Sequence, residues 1–252
     1  KGCIFDSQNN NTIVDRVHFY LFDAFGFGES KQLLHSNKNN DGNSGGGGGL
    51  DWDQFSEMEF AKDLEAVYQS MLSEAKQEID SPLLYIVAHS YGTSMVIKLL
   101  SNVSVPNHKE VDNSSDSILP RGVIFISGTI HGGVNTDTTV RDGGHFIFKL
   151  PVFALNWMQA TLTDSFTKAA FHPDFCNEEL IEKSKKNSNA NDMGVCKAFY
   201  RQTKWATVED AQKIKVKSLV IHGENDLILP LSAGKFLSEN LVNLSKFVVI
   251  PD

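Results

Sequence analysis

Apolar side chains along this chain follow two patterns. Short unbroken runs at Leu83–Ala88, Gly122–Ser127, Ser218–His222 and Phe247–Ile250 have the length and composition of buried strands. Between Asp53 and Ile79, Phe60, Leu64, Val67, Tyr68, Met71 and Leu72 instead recur at helical spacing with Glu and Lys between them, so this segment is a helix with one apolar face. Ser94–Leu100 and Ser232–Leu241 have the same helical character. An aromatic run, His18–Phe22, ends at Asp23 and a glycine loop and predicts a further core strand. Helices and strands alternate, which predicts an α/β fold on a mostly parallel, doubly wound sheet.

Two stretches break that rhythm. From 36 to 49 the chain turns to Asn, Asp and Ser and ends in five glycines; with nothing to bury, it reads as a disordered surface insert. From about 143 to 212 the segments are helix-like and aromatic-rich, with Phe146, Phe148, Phe153, Trp157, Phe199 and Trp205 among them. They read as an inserted helical lid. The expected organisation is a first part of the core over 1–142, the lid over 143–212, and a second part of the core over 213–252.

Composition narrows the class. The 252 residues, 41% of them hydrophobic, suffice for one well-filled domain. A net charge of -8 from 31 acidic and 23 basic residues, without a basic stripe, argues against a nucleic-acid partner. Cys3, Cys176 and Cys196 are odd in number and form no Cys-x-x-Cys pair, so reduced thiols, no metal or cofactor, and a cytoplasmic location are expected. No apolar run approaches the roughly 20 residues of a membrane span, and no signal peptide opens the sequence. Asn102-Val-Ser104 and Asn243-Leu-Ser245 match the N-glycosylation pattern, which is frequent by chance.

The chemistry concentrates at Ala88-His89-Ser90-Tyr91-Gly92, set between a buried strand and a helix. That context suits a G-x-S-x-G-type nucleophile elbow, in which a strained turn lifts the serine Oγ clear of the sheet. The Tyr91 backbone N–H, at the helix N-terminus, is the matching oxyanion donor. The plain alternative is a strand-to-helix turn whose serine only caps the helix. His89 adjoins Ser90 and diverges from it, which makes it a wall residue rather than a base.

Three segments in order resemble the α/β-hydrolase family, and lid-bearing abhydrolase-domain proteins in particular, over nearly the entire chain. Asp23-Ala-Phe-Gly26-Phe-Gly28-Glu-Ser30 is similar to the family's D-x-R-G-x-G-x-S loop, with Phe25 where arginine is common. The elbow at Ser90 follows, with Ala88 replacing the first glycine. His222-Gly223-Glu224-Asn225-Asp226 is similar to the loop that presents the triad acid, which implies Asp226 as that acid; Glu224 stands at the loop's variable position.

The family order of Ser, acid, His puts the base after Asp226, and all eight histidines of this sequence precede it. His131-Gly132-Gly133 follows the elbow, so it reads as a turn opening the lid rather than as the family's oxyanion segment. The sequence opens on Lys1 and ends on a strand, so both ends are expected to be cuts, with the second oxyanion donor upstream and the triad histidine downstream. The resemblance implies a serine hydrolase for an ester, thioester or acylglycerol, with a small-molecule or lipid substrate and lipid or peripheral membrane contact through the lid. Acyl transfer to an alcohol or lysolipid, and a non-catalytic binding protein on the same fold, remain open alternatives. Oligomeric state has no signature here.

Overall fold

The computed structural model describes residues 3–5, 17–19, 52–79, 82–103, 119–133, 146–172, 174 and 176–251. The chain divides into two compact units, Lys1–Gly48 and Gly49–Asp252. In the first, β1 (Cys3–Phe5) pairs antiparallel with β2 (Val17–Phe19), Cys3 opposite Phe19. The Asp23–Ser30 loop and the 36–49 insert lie outside the described residues.

In the second unit, α1 (Glu57–Glu78), β3 (Tyr85–His89), α2 (Gly92–Val103) and β4 (Gly122–Ile126) come first. Then follow α3 (Val152–Ala170), α4 (Glu178–Asn189), α5 (Met193–Gln202) and the short α6 (Val208–Gln212). The unit closes with β5 (Ser218–Gly223), α7 (Leu231–Asn240) and β6 (Leu244–Ile250). The four strands pair in parallel in the order β3-β4-β5-β6. The fold is that of the α/β class expected from the alternation.

Register assigns the faces. Ala88 lies beside Phe125, and Phe125 beside Val220, so these three share a sheet face. On that face they pack with Ile97 and Leu100 of α2 and Leu237 of α7 in one core. The opposite face of β3 is open: Tyr85 and Val87 are each 59% exposed. The apolar run at Leu83–Ala88 suggests a strand buried on both sides, yet Ala88 is buried while Tyr85 and Val87 are exposed, so only one face of β3 is covered among the described residues.

Local chemistry places the helix starts. The Ser56 Oγ accepts from the Glu59 N–H at 3.4 Å to begin α1. Thr207 and Asp210 form a reciprocal capping box at α6. Between β4 and β5 the described elements are all helical. Gln159 of α3 donates to the Asn189 and Asn191 carbonyls, and Lys185 of α4 pairs with Asp164 of α3 at 2.7 Å. Two lysines hold the Asp164 carboxyl down to about 2, the hydrogen bond from Lys168 first and that from Lys185 next. The sheet core already includes Ala206, ahead of the lid boundary at 212 expected from the sequence.

Candidate active site

Ser90 directly follows β3 at φ 52, a left-handed conformation that a residue with a Cβ adopts only at a cost. Two bonds hold it there. Its N–H donates to the Ile126 carbonyl at 3.0 Å, continuing the ladder to β4, and its carbonyl accepts from the Thr93 N–H at 3.0 Å, opening the helical turn. The chain thus reverses from strand to helix at one half-buried residue. Tyr91 immediately precedes α2, so its N–H lies at the positive end of the helix. A Cβ on Gly92 would meet nothing within 4 Å among the described residues, so no close packing there calls for glycine. The tight contact is Gly128 after β4, where a Cβ would fall on the Thr93 Oγ1 and 2.8 Å from its Cγ2.

Asp226 follows β5 across the tight turn Gly223–Asp226. Its Oδ1 accepts from the Ile228 and Leu229 N–H groups, each at 2.9 Å, an Asx-type turn that fixes the carboxylate. Ser90 and Asp226 therefore both leave the carboxyl edge of one parallel sheet, the region where open α/β folds bind ligands. Their strands are second neighbours, about 9.5 Å apart at ordinary inter-strand spacing. An imidazole hydrogen-bonded at both nitrogens spans about 8 Å. Glu224 instead continues the ladder, its N–H donating to the Ile250 carbonyl at 2.9 Å.

Two features here escaped the sequence reading. Ser127, at the end of β4 between the strands of Ser90 and Asp226, is also left-handed, at φ 45, and its N–H donates to the Ile221 carbonyl at 2.9 Å. The Ser-Gly pair ending an apolar run was its only signal. His222 is fully buried with its Nε2 committed to the Leu229 carbonyl at 2.8 Å. His89 is exposed. His131 lies in a turn whose Gly132 has φ 90, and its N–H donates to the Ala206 carbonyl at 2.8 Å.

The elbow is tied to the exit of the helical insertion. The Tyr91 hydroxyl donates to the Lys204 carbonyl at 3.1 Å, the Ser94 Oγ accepts from the Ala206 N–H at 2.9 Å, and the Tyr91 ring meets Phe199 and Trp205 edge-on. Deeper along α2, Lys98 pairs with Asp210 at 2.7 Å and approaches Glu57 at 3.7 Å. Burial pushes the Asp210 carboxyl up, but the hydrogen bond from Lys98, those from Thr207 and the Lys98 charge together hold it below its ordinary 3.8. Among the described residues, no cluster of three or more His, Cys, Asp or Glu is placed to hold a metal ion.

The parallel sheet with its helices and the left-handed strand-to-helix turn at Ser90 are those of a protein of the α/β-hydrolase class. Residues 15–251 match the family described as serine aminopeptidase, S33, and the chain belongs to that family: it is a hydrolase of the α/β type. No curated protein matches the sequence. Among solved structures, a hydrolase from Oleispira antarctica is 16% identical, with a TM-score of 0.60 over 91% of this chain and 71% of its own. A thermophilic esterase from Thermogutta terrifontis is 15% identical, with a TM-score of 0.57 over 91% and 70%. A bromoperoxidase from Bacillus anthracis is 16% identical, with a TM-score of 0.56 over 82% and 70%. These likenesses establish the fold.

Proposed function

We propose that the protein is a serine hydrolase of carboxylic esters, thioesters or acylglycerols, with Ser90 as nucleophile and Asp226 as triad acid. The observation that carries this reading is the left-handed Ser90 at a strand-to-helix turn, the backbone geometry that lifts a serine Oγ clear of the sheet. Ser90 Oγ attacks the acyl carbonyl while a histidine takes its proton; Asp226 orients the imidazole and stabilises its cation. In the family order that histidine follows Asp226. The Tyr91 N–H supplies one oxyanion donor, and water releases the acid.

The α3–α5 insertion acts as the lid. Phe153 and Trp157, one turn apart on α3 and 76% and 87% exposed, support an acyl chain or a lipid surface as what it meets. No helix among the described residues is long and apolar enough to cross a membrane; a cytoplasmic location belongs to this proposal. The family's description names an aminopeptidase, which makes a peptide N-terminus the competing substrate class.

The test is a panel of p-nitrophenyl esters of increasing chain length, an acyl thioester, a monoacylglycerol and an aminoacyl p-nitroanilide, assayed with protein from the full reading frame. Turnover of the acyl esters that disappears in Ser90→Ala is the expected result. Equal turnover in the variant refutes the assignment, and selective cleavage of the anilide moves the substrate class to peptides.

A further inference from the structure

His222, the penultimate residue of β5, lies on the face that meets α7 and is 0% exposed. Its Nε2 lies 2.8 Å from the Leu229 carbonyl. A carbonyl only accepts, so the ring proton sits on Nε2 and is committed there. The same Leu229 donates its N–H to Asp226 Oδ1 at 2.9 Å. One residue is thus gripped at its amide by the acid and at its carbonyl by His222.

The second oxygen of the acid lies just outside this arrangement. Asp226 Oδ2 is 3.8 Å from His222 Nε2, beyond hydrogen-bonding distance. With Oδ1 taken by two backbone N–H groups, Oδ2 is the oxygen left to receive a triad imidazole. Behind the ring stands Gly234 of α7. A Cβ there would fall on Nδ1 and 2.7 Å from Cγ, and Nδ1 itself has no hydrogen-bond partner among the described residues. Among the described residues no polar contact holds that side; the close backbone of Gly234 does.

We propose that His222 is a positioning residue for the acid: its bond to Leu229 fixes the 226–229 turn, and the same bond keeps its donor off Oδ2. This rests on the reading of Asp226 as the triad acid. Gly234 is its counterpart, the one residue type that lets the ring sit this deep.

The experiment compares wild type, His222→Phe, His222→Gln, Gly234→Ala, Asp226→Asn and the double variant His222→Phe/Asp226→Asn, all as full-length protein. Readouts are kcat and KM with p-nitrophenyl butyrate and the rate of fluorophosphonate labelling. Phe keeps a ring without a donor, whereas Gln can set an amide N–H near the position of Nε2. Displacing the acid by a fraction of an ångström lowers kcat and labelling about tenfold to a hundredfold in His222→Phe, with KM within about twofold. His222→Gln recovers most of the loss, and the double variant is no worse than Asp226→Asn alone. Should the Phe variant fail to fold, Gly234→Ala disturbs the ring from behind and shows the same split. Wild-type kcat in His222→Phe or Gly234→Ala beside an inactive Asp226→Asn overturns the positioning role, as does an additive double variant. Full activity in Asp226→Asn overturns the acid reading instead.

Discussion

The Lys98 charge cluster makes a prediction whose size follows from the geometry. Lys98→Met keeps the alkyl packing of the side chain and removes its charge. Lys98 and Asp210 side chains are 16% and 14% exposed, 2.7 Å apart, with Glu57 3.7 Å away on the other side. The Glu57 Oε2 is already buried without a hydrogen-bond partner among the described residues. Loss of the cation leaves two carboxylates facing one gap. A fully buried pair broken from one side costs about 3–5 kcal/mol, and the residual exposure here lowers that to about 2–3 kcal/mol. At about 2–4 °C per kcal/mol for a chain of this size, the melting temperature falls by roughly 4–12 °C at pH 7. The sign with pH follows from Asp210. Its folded-state value lies below the ordinary 3.8, so its contribution is full above that value and is lost as pH falls through the depressed one. The gap between wild type and variant, measured by circular dichroism melts, is therefore widest near neutrality and closes below about pH 3.8. A gap under about 1 kcal/mol at pH 7, or one unchanged at acid pH, would refute the reasoning.

Three further outcomes are expected. Ser90→Gly relieves the left-handed strain and raises stability by about 1 kcal/mol over Ser90→Ala in urea titrations, though neither variant turns over ester. Gly128→Ala drives a methyl group into Thr93 at the start of α2, costing about 1–3 kcal/mol by the same titration and slowing labelling of Ser90. Tyr91→Phe removes the hydroxyl bond to Lys204 and keeps the ring contacts, so it costs about 0.5–1.5 kcal/mol, whereas limited proteolysis within α3–α5 accelerates more in Tyr91→Ala.

Strand and helix alternation from Tyr85 onward was legible because each buried run and each amphipathic repeat is local. The strand-to-helix turn at Ser90 was legible for the same reason: preceding strand, turn and following helix are contiguous. An unbroken run cannot report whether one face or two are covered, so the exposure of Tyr85 and Val87 was hidden. The elbow motif carries Gly92, yet the close approach belongs to Gly128, whose neighbour Thr93 is distant in sequence. Lys98, Glu57 and Asp210 converge from three helices and carry no shared motif. His222 reads as one letter of the acid loop; its burial against Gly234 depends on how α7 returns to the sheet.

Whether Ser90 is an activated nucleophile oriented through Asp226 can be read from where a fluorophosphonate attaches. Full-length protein is labelled, digested and mapped by mass spectrometry, with Asp226→Asn and Ser90→Ala alongside. One phosphonyl adduct is expected on the peptide containing Ser90, greatly slowed in Asp226→Asn and absent from Ser90→Ala. An adduct on another serine, or labelling of Ser90 that proceeds undiminished in Asp226→Asn, would contradict that assignment.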